Sequence, residues 1–138
     1  MTGLSADKEV NRKAGNVVAY PVAAETTIYK GAGVCDNGDG YAVPAADTSG
    51  YIPLGIAVEK VDNSEGEVGD KWIRVYKAGT VEAIHSGAAQ TDIGTLFYWL
   101  DDQTVDENAG VTNSVKAGYC VEVPDSDTVR LRIDNVVQ

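Results

Sequence analysis

A chain of 138 residues is of single-domain size and long enough to bury a core without disulfide or metal staples. Its formal net charge of −10 argues against nucleic-acid binding, which needs clustered Lys and Arg, and against an anionic membrane surface. Cys35 and Cys120 are too few for a disulfide framework and read as small core residues; with no basic-then-apolar leader and no ~20-residue apolar run, the expectation is a soluble protein made in a cytoplasm.

Residues 1–16 lack an apolar period and are expected to form an extended N-terminal arm on a single β domain, 17–138. Among residues 1–13, Lys8, Arg12 and Lys13 outnumber Asp7 and Glu9, a net of +1 that leaves −11 for the remainder. Such a leader suits contact with an acidic neighbour, another copy of the chain included. Asn16 to Val22 turns apolar, with Pro21 pointing to an extended segment at a sheet edge. Thr26 to Cys35 reads as a strand broken near Gly31 and Gly33, and Asp36-Asn37-Gly38-Asp39-Gly40 as a hairpin turn into Tyr41-Ala42-Val43. Pro44 to Thr48 has room for one helical turn, and Ile52 to Val61 is a further strand.

An acidic loop, 62–70, leads to alternation over Lys71–Lys77, where Ile73 and Val75 oppose Trp72, Arg74 and Tyr76. Gly79 marks a turn into Thr80–Ile84, and Ser86–Asp92 is a polar connection with space for a short helix. Phe97-Tyr98-Trp99 lies in a segment expected to be buried on both sides. Val115–Val123 and Thr128–Ile133 close the chain, the last with Val129, Leu131 and Ile133 inward and Arg130 and Arg132 outward. With no sustained helical period and turn signals throughout, the fold class is all-β, a compact small barrel or sandwich with at most short helical turns.

One stretch occurs twice. Gly55-Ile56-Ala57-Val58-Glu59 is echoed by Gly118-Tyr119-Cys120-Val121-Glu122, and Gly31 and Gly94 each precede their copy by 24 residues. An apolar–Arg–apolar strand follows each, Ile73-Arg74-Val75 and Val129-Arg130-Leu131. This predicts two similar β units, approximately 26–84 and 90–136, with glycine where a side chain would crowd a bend or a neighbouring backbone.

The chemistry-bearing residues form no catalytic pattern. His85 is the single histidine and stands without a ligand or triad motif, and there is no G-x-S-x-G, P-loop or C-x-x-C. The loops 36–40 and 62–70 lack calcium-loop spacing, so no metal, cofactor or catalytic residue is expected, Asp36 and Asp39 being turn residues in any case. Tyr41, Tyr51, Trp72, Tyr76, Tyr98 and Trp99 offer a sugar-stacking face as the alternative, a carbohydrate-binding adhesion module on a virion surface.

Val18-Ala19-Tyr20-Pro21-Val22-Ala23-Ala24, Thr27–Val34 and Gly40–Ala45 resemble small phage capsid cement, or decoration, proteins. The resemblance continues through Leu54-Gly55-Ile56-Ala57, the Val61–Asp70 loop and Ile73-Arg74-Val75 to Gly79, covering roughly residues 12–84. It implies a non-enzymatic β-rich protein that binds the outer surface of an expanded phage shell as a homotrimer. The partners implied are the major capsid protein and itself. On this reading Arg12, Lys13, Val17, Val18 and Tyr20 are the expected capsid contacts, by arm charge and strand addition, and Trp72, Arg74 and Tyr76 the expected subunit interface.

Overall fold

The computed structural model describes residues 3–10 and 12–138; Met1, Thr2 and Asn11, which belong to the expected arm, lie outside the described residues. The chain runs as β1 (Val17–Pro21), β2 (Thr26–Ile28), β3 (Gly33–Asp36), β4 (Ala42–Pro44), β5 (Ile52–Ala57), β6 (Val61–Asn63), β7 (Trp72–Tyr76), β8 (Thr80–Ile84), β9 (Leu96–Trp99), β10 (Val105–Asp106), β11 (Lys116–Asp125) and β12 (Thr128–Arg132). The helical content described is one-turn 3-10 segments at Gln90–Asp92 and Asn108–Gly110.

The fold is all-β, as the alternation implies. One antiparallel sheet is ordered β1-β7-β5-β3-β4, a second β10-β9-β11-β12-β8, and β2 pairs with β6 as a separate ribbon. Read from the β1 and β8 edges, the two five-stranded sheets have the same connectivity. The first strand of each unit lies at an edge beside the last, the second and third form the hairpin at the other edge, and the fourth is central. An isolated parallel bridge joins the far edges in each, Val22 to Ala42 and Ile84 to Thr104. Neither sheet closes into a barrel.

The boundaries of the two units differ from those the spacing suggests. Thr80–Ile84 was expected at the end of the first unit. Its pairing is with β12, Val81 opposite Leu131 and Ala83 opposite Val129, so it opens the second. The units by connectivity are 17–76 and 80–132, with the β2–β6 ribbon an addition to the first. The helical turn expected at Pro44–Thr48 is absent as well. There the Asp47 carboxylate accepts hydrogen bonds from the Thr112 and Asn113 amides, at 2.8 and 2.7 Å, which holds the segment open against the second unit.

Glycine explains the echoed motif. Gly55 has φ +146°, and a Cβ there would sit 2.0 Å from the Tyr76 carbonyl oxygen. A Cβ on Gly118 would sit 2.6 Å from the Arg132 carbonyl oxygen. Tyr76 and Arg132 end β7 and β12, so in each sheet the central strand lets the backbone of the unit's last strand approach through the missing side chain. The bulge this produces skips Leu54 in the pairing of β3 with β5, and Leu54 and Ile56 consequently enter different cores.

Two clusters are buried. The smaller gathers Val34, Ala42, Leu54, Ala57, Ile73 and Val75 on one face of the first sheet, with Ile28 of the ribbon covering them. The larger joins Phe97, Ala117, Cys120, Val129 and Leu131 of the second sheet to Cys35, Val43 and Ile56 on the opposite face of the first. Each fully buried Ile, Leu or Phe is worth roughly 1.5–3 kcal/mol in transfer terms, so these alternating strands hold the fold. Both cysteines are buried free thiols. Trp99 seals the junction by lying on Gly33, where a Cβ would fall 2.6 Å from the indole Cζ2.

Candidate contact surface

β1 pairs with β7 alone among the described strands, which leaves its other edge free of a ladder partner apart from the bridge beyond its end. The register sets Val17 opposite Tyr76, Ala19 opposite Arg74 and Pro21 opposite Trp72. Directly opposed residues share a sheet face. These six side chains therefore form one strip, and its large members are well exposed: Val17 42%, Trp72 59% and Tyr76 45%. Ile56 lies opposite Tyr76, so the strip continues the face whose central part the second sheet covers. The cover stops at β5 and leaves β7 and β1 bare.

Arg74 is fixed in the middle of this strip. Its Nη2 donates to Glu59 Oε1 at 2.8 Å, its Nε to Oε2 at 3.1 Å, and its amide to Oε2 at 3.0 Å. Those bonds hold the Glu59 carboxyl below the ordinary carboxylate range and raise the guanidinium. Glu59 closes the first copy of the repeated stretch. The glutamate closing the second, Glu122, lies 3.8 Å from Arg130 Nε, and Arg130 also reaches Glu82 at 3.2 Å. The repeated Glu and the repeated apolar–Arg–apolar strand thus meet across the same strand pair in both units. Pairs this exposed contribute little to stability. Their effect here is to orient Arg74 beside two aromatic rings.

The predicted contact residues divide between two faces. Val17 lies in the strip, whereas Val18 and Tyr20 face the other way, opposite Val75 and Ile73 of the smaller core. Alternation within β1 forces this split, and Val18 and Tyr20, both half-buried, face away from the strip. The Tyr20 hydroxyl instead accepts a hydrogen bond at 2.7 Å from Lys77 Nζ, which also donates to the Leu54 carbonyl at 2.6 Å. Burial pushes the Lys77 amine down to about 8. Arg12 and Lys13 are exposed, outside any strand, as are all described residues from 3 to 16. The arm joins the body where Asn16 accepts a hydrogen bond from the Lys77 amide.

The remaining candidates do not converge. Trp99 is buried, Tyr41 and Tyr51 pack against the larger core, and Tyr98 is half-buried on the second sheet, so the six aromatics make no common platform. In the turn 36–40, the Asp36 carboxylate accepts from the Gly38 and Gly40 amides at 2.7 and 3.1 Å, and Asn37 from Asp39 at 2.8 Å. Asp62 is likewise engaged by Ser64 and Thr27, whose hydrogen bonds bring its carboxyl down to about 2. Glu59 and Lys77 were missed by sequence reasoning. The repeat of Glu beside an Arg strand was the signal available for the first.

No family model matches the chain, and no curated protein does. A solved structure, the crystal structure of the head fiber gp8.5 N base in bacteriophage phi29, aligns with 88% of this chain and 98% of that one, at 22% identity and a TM-score of 0.47. A superposition that loose carries no argument about the role of this chain.

Proposed function

We propose that the protein is a non-enzymatic component of a phage virion that binds the outer surface of the capsid and stabilises it. The observation that carries this reading is the bare strip of Val17, Trp72, Arg74 and Tyr76 across β7 and the edge strand β1, which directly follows the exposed arm. An open edge accepts an added strand through main-chain hydrogen bonds, and an aromatic–Arg patch beside it supplies the buried anchors such contacts rely on. The arm adds Arg12 and Lys13 for acidic or mixed seams, and ordering it on contact covers shell area that the body cannot reach. The similarity of residues 12–84 to cement proteins supports the same role. The chain acts as a homotrimer in this reading, and the strip is divided between the neighbouring copy and the shell.

Co-sedimentation with expanded capsid shells tests it. Removal of residues 1–16, and separately Trp72→Ala with Tyr76→Ala, each lowers occupancy at least tenfold while the unbound body keeps its folded circular dichroism. Full occupancy by both variants refutes the assignment, and light scattering that shows one copy per site on the shell refutes the trimer.

A further inference from the structure

His85 has no ligand motif around it in the sequence, yet the fold encloses it with carboxylates drawn from two places, the 3-10 turn before β9 and the end of β10. It follows β8, is 9% exposed, and packs edge-on against Phe97 with ring centroids 4.7 Å apart. Its Nδ1 lies 3.1 Å from the Val105 carbonyl oxygen. A carbonyl only accepts, so Nδ1 carries the proton of the neutral ring and Nε2 presents its lone pair. Among the described residues Nε2 has no hydrogen-bond partner, and Asp92 Oδ2 lies 4.0 Å from it. That oxygen is positioned by the Ala89 amide at 2.9 Å. Glu107 completes the group: one ligand atom each from His85, Asp92 and Glu107 lie within 4.8 Å of one another. Asp106 Oδ1, 3.8 Å from Nδ1, adds another negative charge and accepts a hydrogen bond from the Glu107 amide at 2.8 Å. No Lys or Arg pairs with any of these three acids among the described residues.

We propose that His85, Asp92 and Glu107 form a binding site for a divalent transition metal, with Zn²⁺ as the ion it suits best. One imidazole and two carboxylates match the ligand chemistry of Zn²⁺, whereas Mg²⁺ and Ca²⁺ take oxygen donors. A carbonyl on the far ring nitrogen is the usual outer support of a metal-binding histidine. At Zn–N and Zn–O distances of about 2.0–2.2 Å, tetrahedral donors stand about 3.3 Å apart, so the present 4.0 Å closes by a small side-chain rotation. Glu107 is exposed and free to rotate, and the fourth position is left to water. The ion would tie the 3-10 turn before β9 to the residues following β10. This site belongs to the second unit and is independent of the strip on β1 and β7.

The test uses untagged full-length protein, because a single native histidine makes the readout unambiguous. Titration with ZnCl₂ gives one saturable site by calorimetry. The Nε2 resonance of His85 shifts while Nδ1 stays protonated, and MgCl₂ and CaCl₂ leave both unmoved. At a hundredfold excess over Kd, Zn²⁺ raises Tm by on the order of 10 °C. Glu107→Gln, at an exposed position, leaves the metal-free Tm unchanged and weakens Zn²⁺ binding at least tenfold, as does Asp92→Asn for binding. Absence of saturable binding, His85 resonances that stay put at saturation, or wild-type affinity in Glu107→Gln would each overturn the assignment.

Discussion

Replacing Gly55 by alanine isolates the contact that the repeated stretch is built on. The new Cβ falls 2.0 Å from the Tyr76 carbonyl oxygen, well inside van der Waals contact, and the obstacle is backbone that no rotamer change can relieve. The φ of +146° adds its own penalty, roughly 1–2 kcal/mol for a residue with a Cβ. To admit the methyl, β5 must move off β7 and loosen the pairing of Ile56 with Tyr76 and Ala57 with Val75. Each hydrogen bond lost there costs a net ~0.5–1.5 kcal/mol. Together these put Gly55→Ala at about 3–5 kcal/mol, or on the order of 10–20 °C in Tm for a chain of this length. Gly118→Ala, with its Cβ 2.6 Å from the Arg132 oxygen and no positive φ, falls lower, at about 2–3 kcal/mol. Gly87→Ala is the control for backbone strain alone: φ is +77° with no atom within 4 Å, and the cost is about 1 kcal/mol. Urea unfolding followed by circular dichroism ranks the three. If Gly55→Ala is no worse than Gly87→Ala, the close approach of the Tyr76 backbone is not what that glycine serves.

Two further predictions concern alkaline pH. Burial pushes the Cys35 thiol up to about 12 from its unfolded value of 9.0, so the folded state keeps a proton that the unfolded chain releases. That stability is complete below pH 9 and lost as pH rises toward 12, reaching about 2 kcal/mol by pH 10.5; Cys35→Ala flattens this part of the pH–stability curve, and an unchanged slope refutes it. Lys77 works in the opposite sense: its folded value of about 8 lies below the unfolded 10.5, so stability rises between those pH values as the folded chain sheds the proton first. Lys77→Met removes that rise, and chemical denaturation at pH 7.5, 9 and 10.5 resolves both variants from the parent.

What was legible in the sequence is what depends on near neighbours. Ile73 and Val75 inward with Trp72, Arg74 and Tyr76 outward follows from period-2 alternation in a strand with one buried face, and β12 repeats the pattern. The all-β class and the special position of Gly55 and Gly118 were likewise readable. Placing β8 was not, because it is decided by pairing with β12 more than forty residues later, a contact that spacing does not encode. The division of β1, with Val17 outward and Val18 and Tyr20 inward, has the same origin: its register is set by β7. Asp47 was read as part of a helical turn because its true partners, Thr112 and Asn113, lie in the other half of the chain. His85 shows the limit most clearly, since its carboxylate neighbours arrive from a 3-10 turn and from the end of β10.

The contiguity of the two units has a consequence for biosynthesis. Every strand of the first sheet lies within residues 17–76, so its ladders can all form before β8 emerges from the ribosome. Until the second sheet arrives, Cys35, Val43 and Ile56 face water on a finished structure. The nascent chain therefore passes through an interval in which a half-length product carries an uncovered apolar face beside the strip on β1 and β7. Slowing translation after Lys77 prolongs that interval and gives chaperones, or a second nascent copy, time to reach the face first.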